Sequence, residues 1–208
     1  MILDALTVVD NVCQLGILGQ NGLLEKQALG NGKFAGLRQL LPLGYGRCRL
    51  SIAVPHDFDY QSIDSLNGKV IATSYKGLLA QYLADRKIDA DIVTMEGAVE
   101  VAPRTHLADV ICDLVSTGST LVSNGLVEKD IILQSQAVLV TNQIDDPEIA
   151  ALAEKVTSRI KAVLRAENSR YIMLNSPIDS LEAIKAVLPG SQSPTVMPLQ
   201  GRDDMVAV

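Results

Sequence analysis

Between residues 69 and 115 short apolar β-forming runs alternate with amphipathic helical runs, and few architectures accommodate that order. Lys69–Ser74 (KVIATS) follows the turn signal Leu66-Asn67-Gly68 and reads as a strand. Gly77–Lys87 places Leu78, Leu79, Tyr82 and Leu83 on one helical face. Ala90–Met95 returns to strand, Val99–Leu107 can form a helix, and Asp109–Val115 (DVICDLV) has the apolar run of a buried strand. Repeated βα units of this spacing predict an α/β fold with parallel-rich sheets and right-handed crossovers. Aliphatic side chains must build the core, because the chain has five tyrosines, two phenylalanines and no tryptophan.

Cys48–Val54 (CRLSIAV) and Gln136–Val140 (QAVLV) flank this block as further strands. Leu15–Leu18 and a glycine-rich stretch precede it. Pro147–Ala166 follows as a long amphipathic helix, with Ile149, Leu152, Val156, Ile160, Val163 and Leu164 at helical spacing and proline near its start. The expected organisation is two periplasmic-binding-protein-like lobes with a ligand cleft between them. Residues 1–49 and 143–167 would form lobe I, and residues 50–142 lobe II. Beyond residue 167, strands at Arg170–Asn175, Thr195–Leu199 and Met205–Val208 and a helix at Asp179–Leu188 give β-α-β-β, an incomplete ferredoxin-like C-terminal domain. Residues 2–13 read as an amphipathic helix with no strand before it, so both ends read as truncated.

Composition removes several functions. A net charge of −6 over 208 residues leaves no basic stripe for duplex nucleic acid, and the few aromatics leave no base-stacking platform. No apolar run approaches the roughly 20 residues needed to span a bilayer, and the first ten residues lack a basic n-region, so a cytoplasmic location is expected. Cys13, Cys48 and Cys112 are far apart in apolar surroundings and read as reduced thiols. His56 and His106 lie near none of them, which argues against zinc.

The segment Asp113–Leu126 (DLVSTGSTLVSNGL) carries the chemistry. A buried strand ends at Val115, and Ser116-Thr117-Gly118-Ser119-Thr120 then turns into a short helix. Gly118 lets the backbone close on a ligand, and successive N–H groups and hydroxyls can cradle a phosphomonoester. Asp113, just before it, can accept from sugar hydroxyls. This is no Walker loop, since the Gly-Lys-Ser/Thr ending is absent. On spacing alone, a capped strand-to-helix turn explains the segment equally well.

Gly97–Arg104 (GAVEVAPR) and Leu107–Leu126 (LADVICDLVSTGSTLVSNGL) resemble the signature of the ATP phosphoribosyltransferase family. The resemblance extends to Leu15–Asn21 (LGILGQN), Gly46–Pro55, Leu66–Tyr75 and Ala166–Pro177, and residues 168–208 are similar to the start of that family's histidine-sensing domain. It implies transfer of phosphoribosyl from phosphoribosyl pyrophosphate to N1 of the ATP adenine, with Mg²⁺ as cofactor and no metal ligand assigned to a protein side chain. It implies Asp113 on the ribose, Ser116–Thr120 on the 5′-phosphate, and Glu100 facing ribose or metal. A solvated helix acid is the plainer account of Glu100. Gly16, Gly19, Asn21, Ser74, Tyr75 and Arg104 are candidates for the nucleotide side, against a plain turn, a packed aromatic and a surface ion pair. Arg47 and Arg49 could add charge at the hinge, though surface snorkelling is the better account of them. The resemblance also implies a homo-oligomer, a dimer or a hexamer, with histidine as feedback inhibitor if the last domain is complete. The alternatives are a non-catalytic paralogue and a two-lobed small-ligand binding protein.

Overall fold

The computed structural model describes residues 13–30, 32, 34–167, 170–188 and 194–208. The helix expected over residues 2–13 lies almost wholly outside them. Two compact units divide the chain, Met1–Leu164 and Arg165–Val208.

Two sheets organise the first unit. The smaller has β1 (Leu15–Gly19) and β2 (Arg38–Pro42) on either side of β8 (Ala137–Thr141), all antiparallel. Val138, Leu139 and Val140 of β8 are buried on both faces, as its continuous apolar run requires. Helix α1 (Gln20–Ala28) leaves β1 directly, and the long helix α4 (Pro147–Glu167) sets Ile160 and Leu164 against Leu43, Ala137 and Leu139. Because β8 already belongs to this sheet, the chain returns to it near residue 136, six residues before the expected lobe boundary at 142/143.

The larger sheet has five strands in the order β5 (Asp91–Thr94), β4 (Val70–Thr73), β6 (Val110–Val115), β3 (Cys48–Pro55) and β7 (Leu126–Ser135). The βα alternation gives the parallel pairs β5–β4 and β4–β6, with α2 (Lys76–Arg86) as a crossover. β3 and β7 complete the sheet antiparallel, which makes it mixed. Period-two alternation sends Leu50, Ile52, Val54, Ile71, Val110 and Cys112 to one face with Leu79 and Leu83. Ala53, Ala72, Ile111 and Val115 go to the other, with Val99, Ala102 and Leu121. Cys48 and Cys112 are in no disulfide, and burial raises the thiol pKa of Cys112, which suits an inert core residue.

The helix expected over Val99–Leu107 is only a 3₁₀ turn, Val99–Val101. Pro103 has no N–H to donate to the Val99 carbonyl, which instead accepts from Ala102 at 3.1 Å, and His106 sits at φ 58°. In the second unit the sheet runs β9 (Asn175–Pro177), β11 (Arg202–Ala207), β10 (Met197–Leu199), antiparallel throughout, with α5 (Leu181–Val187) between β9 and β10. Strand β9 starts later than expected from sequence, although Leu174 and Val208 still exchange two backbone bonds.

The two sheets of the first unit are joined where α1 meets the start of α2. A Cβ on Gly77 would lie 3.0 Å from Ala28 Cβ and 3.2 Å from the Leu29 nitrogen, so a side chain there would push the two helices apart by a few tenths of an ångström. Gly77→Val is expected to destabilise the fold by about 1–3 kcal/mol, the usual cost of overpacking, read as a lower urea midpoint with an unchanged m-value.

Candidate active site

The strand-end turn is built by β6 and by what its alternation puts opposite it. Asp113 follows Ile111 onto the face covered by the Val99–Val101 turn, which carries Glu100. At Val115 the strand ends, the chain passes through Ser116 and Thr117, and Gly118 adopts φ 84° as the residue before α3 (Ser119–Ser123). That left-handed conformation is one a side chain resists, so glycine is needed there. Thr117 Oγ1 lies 3.0 Å from Ser119 Oγ, and the Gly118 carbonyl accepts from Val122 N–H at 3.2 Å.

These residues enclose a pocket of about 240 Å³, lined by Glu100, Asp113, Leu114, Val115, Ser116, Thr117, Gly118, Thr120 and Leu121. Asp113 is half-buried. Burial pushes its pKa above the ordinary aspartate range, the Leu114 N–H donating to Oδ1 at 2.7 Å pulls it back, and the Glu100 charge raises it. The lining carries hydroxyls, backbone amides and two carboxylates, and neither lysine nor arginine.

A second constellation joins the two sheets. Asn21 is buried; its N–H donates to Ser135 Oγ at 3.0 Å, and Ser135 Oγ donates to Asn21 Oδ1 at 2.8 Å. Asn21 Nδ2 donates to the Tyr75 hydroxyl at 2.8 Å. Buried Glu25 accepts from the Gly77 and Leu78 N–H groups at 2.8 and 2.9 Å, capping α2 from a helix of the other sheet. Burial raises the Tyr75 pKa, the Asn21 bond lowers it, and the Asp113 charge raises it again.

Of the sequence candidates, Glu100, Asp113, Ser116, Thr117, Gly118 and Thr120 line the pocket, with Ser119 reaching it through Thr117. Asn21 and Tyr75 come together at the junction, and Gly19 precedes α1 there. The other three lie elsewhere. Gly16 is inside β1 opposite Val140, Ser74 donates its hydroxyl proton to the Met95 carbonyl at 2.7 Å, and Arg104 is exposed, bonding to no described residue. Glu25, Ser135, Ser51 and Glu128 were not singled out, because their partners lie 52 to 114 residues away and leave no local pattern.

Similar folds occur among solved structures. An ATP phosphoribosyl transferase (HisG:HisZ) complex from Thermotoga maritima matches with TM-score 0.64 and 24% identity, over 77% of this chain and 75% of that one. The periplasmic aliphatic sulphonate binding protein from Escherichia coli matches with TM-score 0.52 and 16% identity, over 77% and 59%. The fold is thus that of the two-lobed binding proteins, here carrying an acid followed by a hydroxyl-rich turn. The family model of ATP phosphoribosyltransferase matches residues 5–162, and the model of that family's C-terminal domain matches residues 166–208. An ATP phosphoribosyltransferase from Maricaulis maris is 46% identical over 204 residues, covering 97% of this chain and 68% of the relative. The chain belongs to the ATP phosphoribosyltransferase family, the enzymes of the first step of histidine biosynthesis. No helix among the described residues is long and apolar enough to cross a membrane.

Glu100→Gln is expected to lower the Asp113 pKa while leaving it above the ordinary aspartate range, since burial is the larger cause; carboxyl ¹³C shifts followed against pH measure this.

Proposed function

We propose that phosphoribosyl pyrophosphate binds in the pocket at the end of β6 and that ATP approaches from the junction of the two sheets. The observation that carries this reading is the convergence of Asp113, Glu100 and the Ser116–Thr120 turn on one cavity. The turn's N–H groups and hydroxyls hold the 5′-phosphate, and Asp113 accepts from the ribose hydroxyls and so orients C1. Adenine N1 attacks C1 as the bond to pyrophosphate breaks, the pair of electrons leaving with the pyrophosphate oxygen. Positive charge develops on the ribose ring, and carboxylates at Asp113 and Glu100 stabilise it. Asn21, held by Ser135, and Tyr75, which accepts from Asn21, line the approach for the base.

The donor set fits Mg²⁺. No group of three or more His, Cys, Asp or Glu residues able to hold a metal occurs among the described residues. Magnesium characteristically takes one or two carboxylates and completes its shell with substrate phosphates and water, and Asp113 and Glu100 are the lining carboxylates that would hold it. When bound, the ion neutralises charge on the departing pyrophosphate.

In this reading the first unit works as two lobes, residues 1–49 with the return segment and residues 50–142 up to that return, and residues 168–208 form a regulatory domain that takes histidine. The enzyme acts in the cytoplasm as a homo-oligomer; Leu152, Val156 and Val163 on the exposed side of α4 support assembly.

Calorimetric titration of phosphoribosyl pyrophosphate with Mg²⁺ into the chain and into Asp113→Asn tests the site. The variant is expected to bind at least about ten-fold more weakly, the size of one or two lost hydrogen bonds to a charged acceptor. Equal affinity would remove Asp113 from the site. The ionised form of Asp113 is the one that binds, and its folded pKa is raised. Wild-type affinity is therefore expected to fall as pH drops through that raised value, above the range where an ordinary aspartate protonates. Asp113→Asn lacks this component, which separates it from titration of the ligand's own phosphates.

A further inference from the structure

The first peptide of the turn is held from behind. Arg49 lies on β3, opposite Val115 of β6 and Gln134 of β7. Its Nε and Nη2 donate to Glu128 Oε1 and Oε2, each at 2.5 Å, in a fork. Ser51 Oγ donates to the same Oε1 at 2.7 Å, which leaves the carboxylate little freedom. The remaining arm, Nη1, donates to the Ser116 carbonyl at 3.1 Å. That carbonyl is the first after β6 stops.

We infer that Arg49 is a positioning residue for phosphate binding, because it sets the orientation of the Ser116–Thr117 peptide. A trans peptide is planar, and its C=O and N–H point in opposite directions. Holding the Ser116 oxygen on Arg49 therefore turns the Thr117 N–H away from Arg49, in a residue that lines the pocket. Glu128 neutralises the guanidinium, so Arg49 acts through the direction of its third donor rather than by adding positive charge to the pocket. The Glu128 carboxyl is held below its ordinary range, first by the Arg49 bonds, against the opposing effect of burial. A lone ion pair would need only the forked arms. Lysine cannot replace the arrangement, since one ammonium cannot serve a fork and a carbonyl in a fixed plane.

This inference rests on the pocket being the phosphoribosyl pyrophosphate site, and the test keeps the two apart. Steady-state kinetics with each substrate varied in turn, thermal melting and calorimetric binding are measured on the full chain, Arg49→Lys and Asp113→Asn. Arg49→Lys is expected to raise KM for phosphoribosyl pyrophosphate about ten- to hundred-fold, the size of one charge-assisted hydrogen bond, while KM for ATP stays within about two-fold. A merely structural role would lower the melting temperature and move both KM values together, and that result overturns the inference. So does a Lys variant that binds phosphoribosyl pyrophosphate like the wild type. If Arg49→Lys does not fold, Glu128→Gln takes its place, with a smaller rise expected in the same KM; no rise overturns the inference. Wild-type and Asp113→Asn binding that coincide would overturn the site assignment, and the inference with it.

Discussion

Because β6 is paired on both edges, to β4 and to β3, its residues are committed to alternate faces of the sheet. Asp113 must follow Ile111 and Val115 onto an apolar face, where the carboxylate loses part of its hydration. The local compensation is one backbone donor, Leu114 N–H, and the charge of Glu100 opposes ionisation. A one-residue slip of β6 would send Asp113 to the face of Cys112 and leave the turn without its acid. The register that fixes the core therefore fixes the chemistry.

The same economy of placement operates at the junction of the two sheets. Three polar groups of α1 and its start, the Asn21 N–H, the Asn21 side chain and the Glu25 carboxylate, each take a partner from the other side of the unit. Buried without partners, they would cost about 1–3 kcal/mol each, more for the charge. Meeting one another instead, they make the α1–α2 approach specific, and Gly77 makes it close. Tyr75 is thereby held by its bond to Asn21, and burial is the main cause that raises its pKa.

Legibility in the sequence follows the range of the forces involved. The βα block from β4 to β6 was readable because alternation and helical spacing are local, and the strand-end turn was readable because Gly118 and its hydroxyls are contiguous. Strand β7 was not: Glu128, Lys129 and Asp130 interrupt its apolar residues, and its register against β3 shifts twice, which breaks the alternation. Charges of this kind are what an edge strand carries to avoid further pairing. Helix α1 was hidden by Gly22 and by a polar residue, Asn21, on its buried side. The antiparallel place of β3 between β6 and β7 has no local signal. Consequently Arg49 and Glu128, 79 residues apart, could not be matched from sequence, and Arg49 read as a surface residue.

The absence of lysine and arginine from the pocket lining has a consequence for how an acidic chain would handle the two polyanionic substrates we propose. A net charge of −6 gives the chain as a whole no attraction for either. What remains is short-range: backbone and hydroxyl donors whose directions are fixed in advance. Preorganised dipoles serve such a purpose only if they do not reorient when the ligand is absent, since reorientation would return the interaction to what water already offers. Gly118 at its left-handed angle fixes one side of the turn, and Arg49 on the Ser116 carbonyl fixes the other. Between these two anchors the donors of Thr117 are held in place, and the carboxylates of Asp113 and Glu100 line the same pocket. In the binding mode we propose, acids meet the ribose and uncharged donors meet the phosphate, so the lining is divided by the charge each part of the substrate would carry in the transition state.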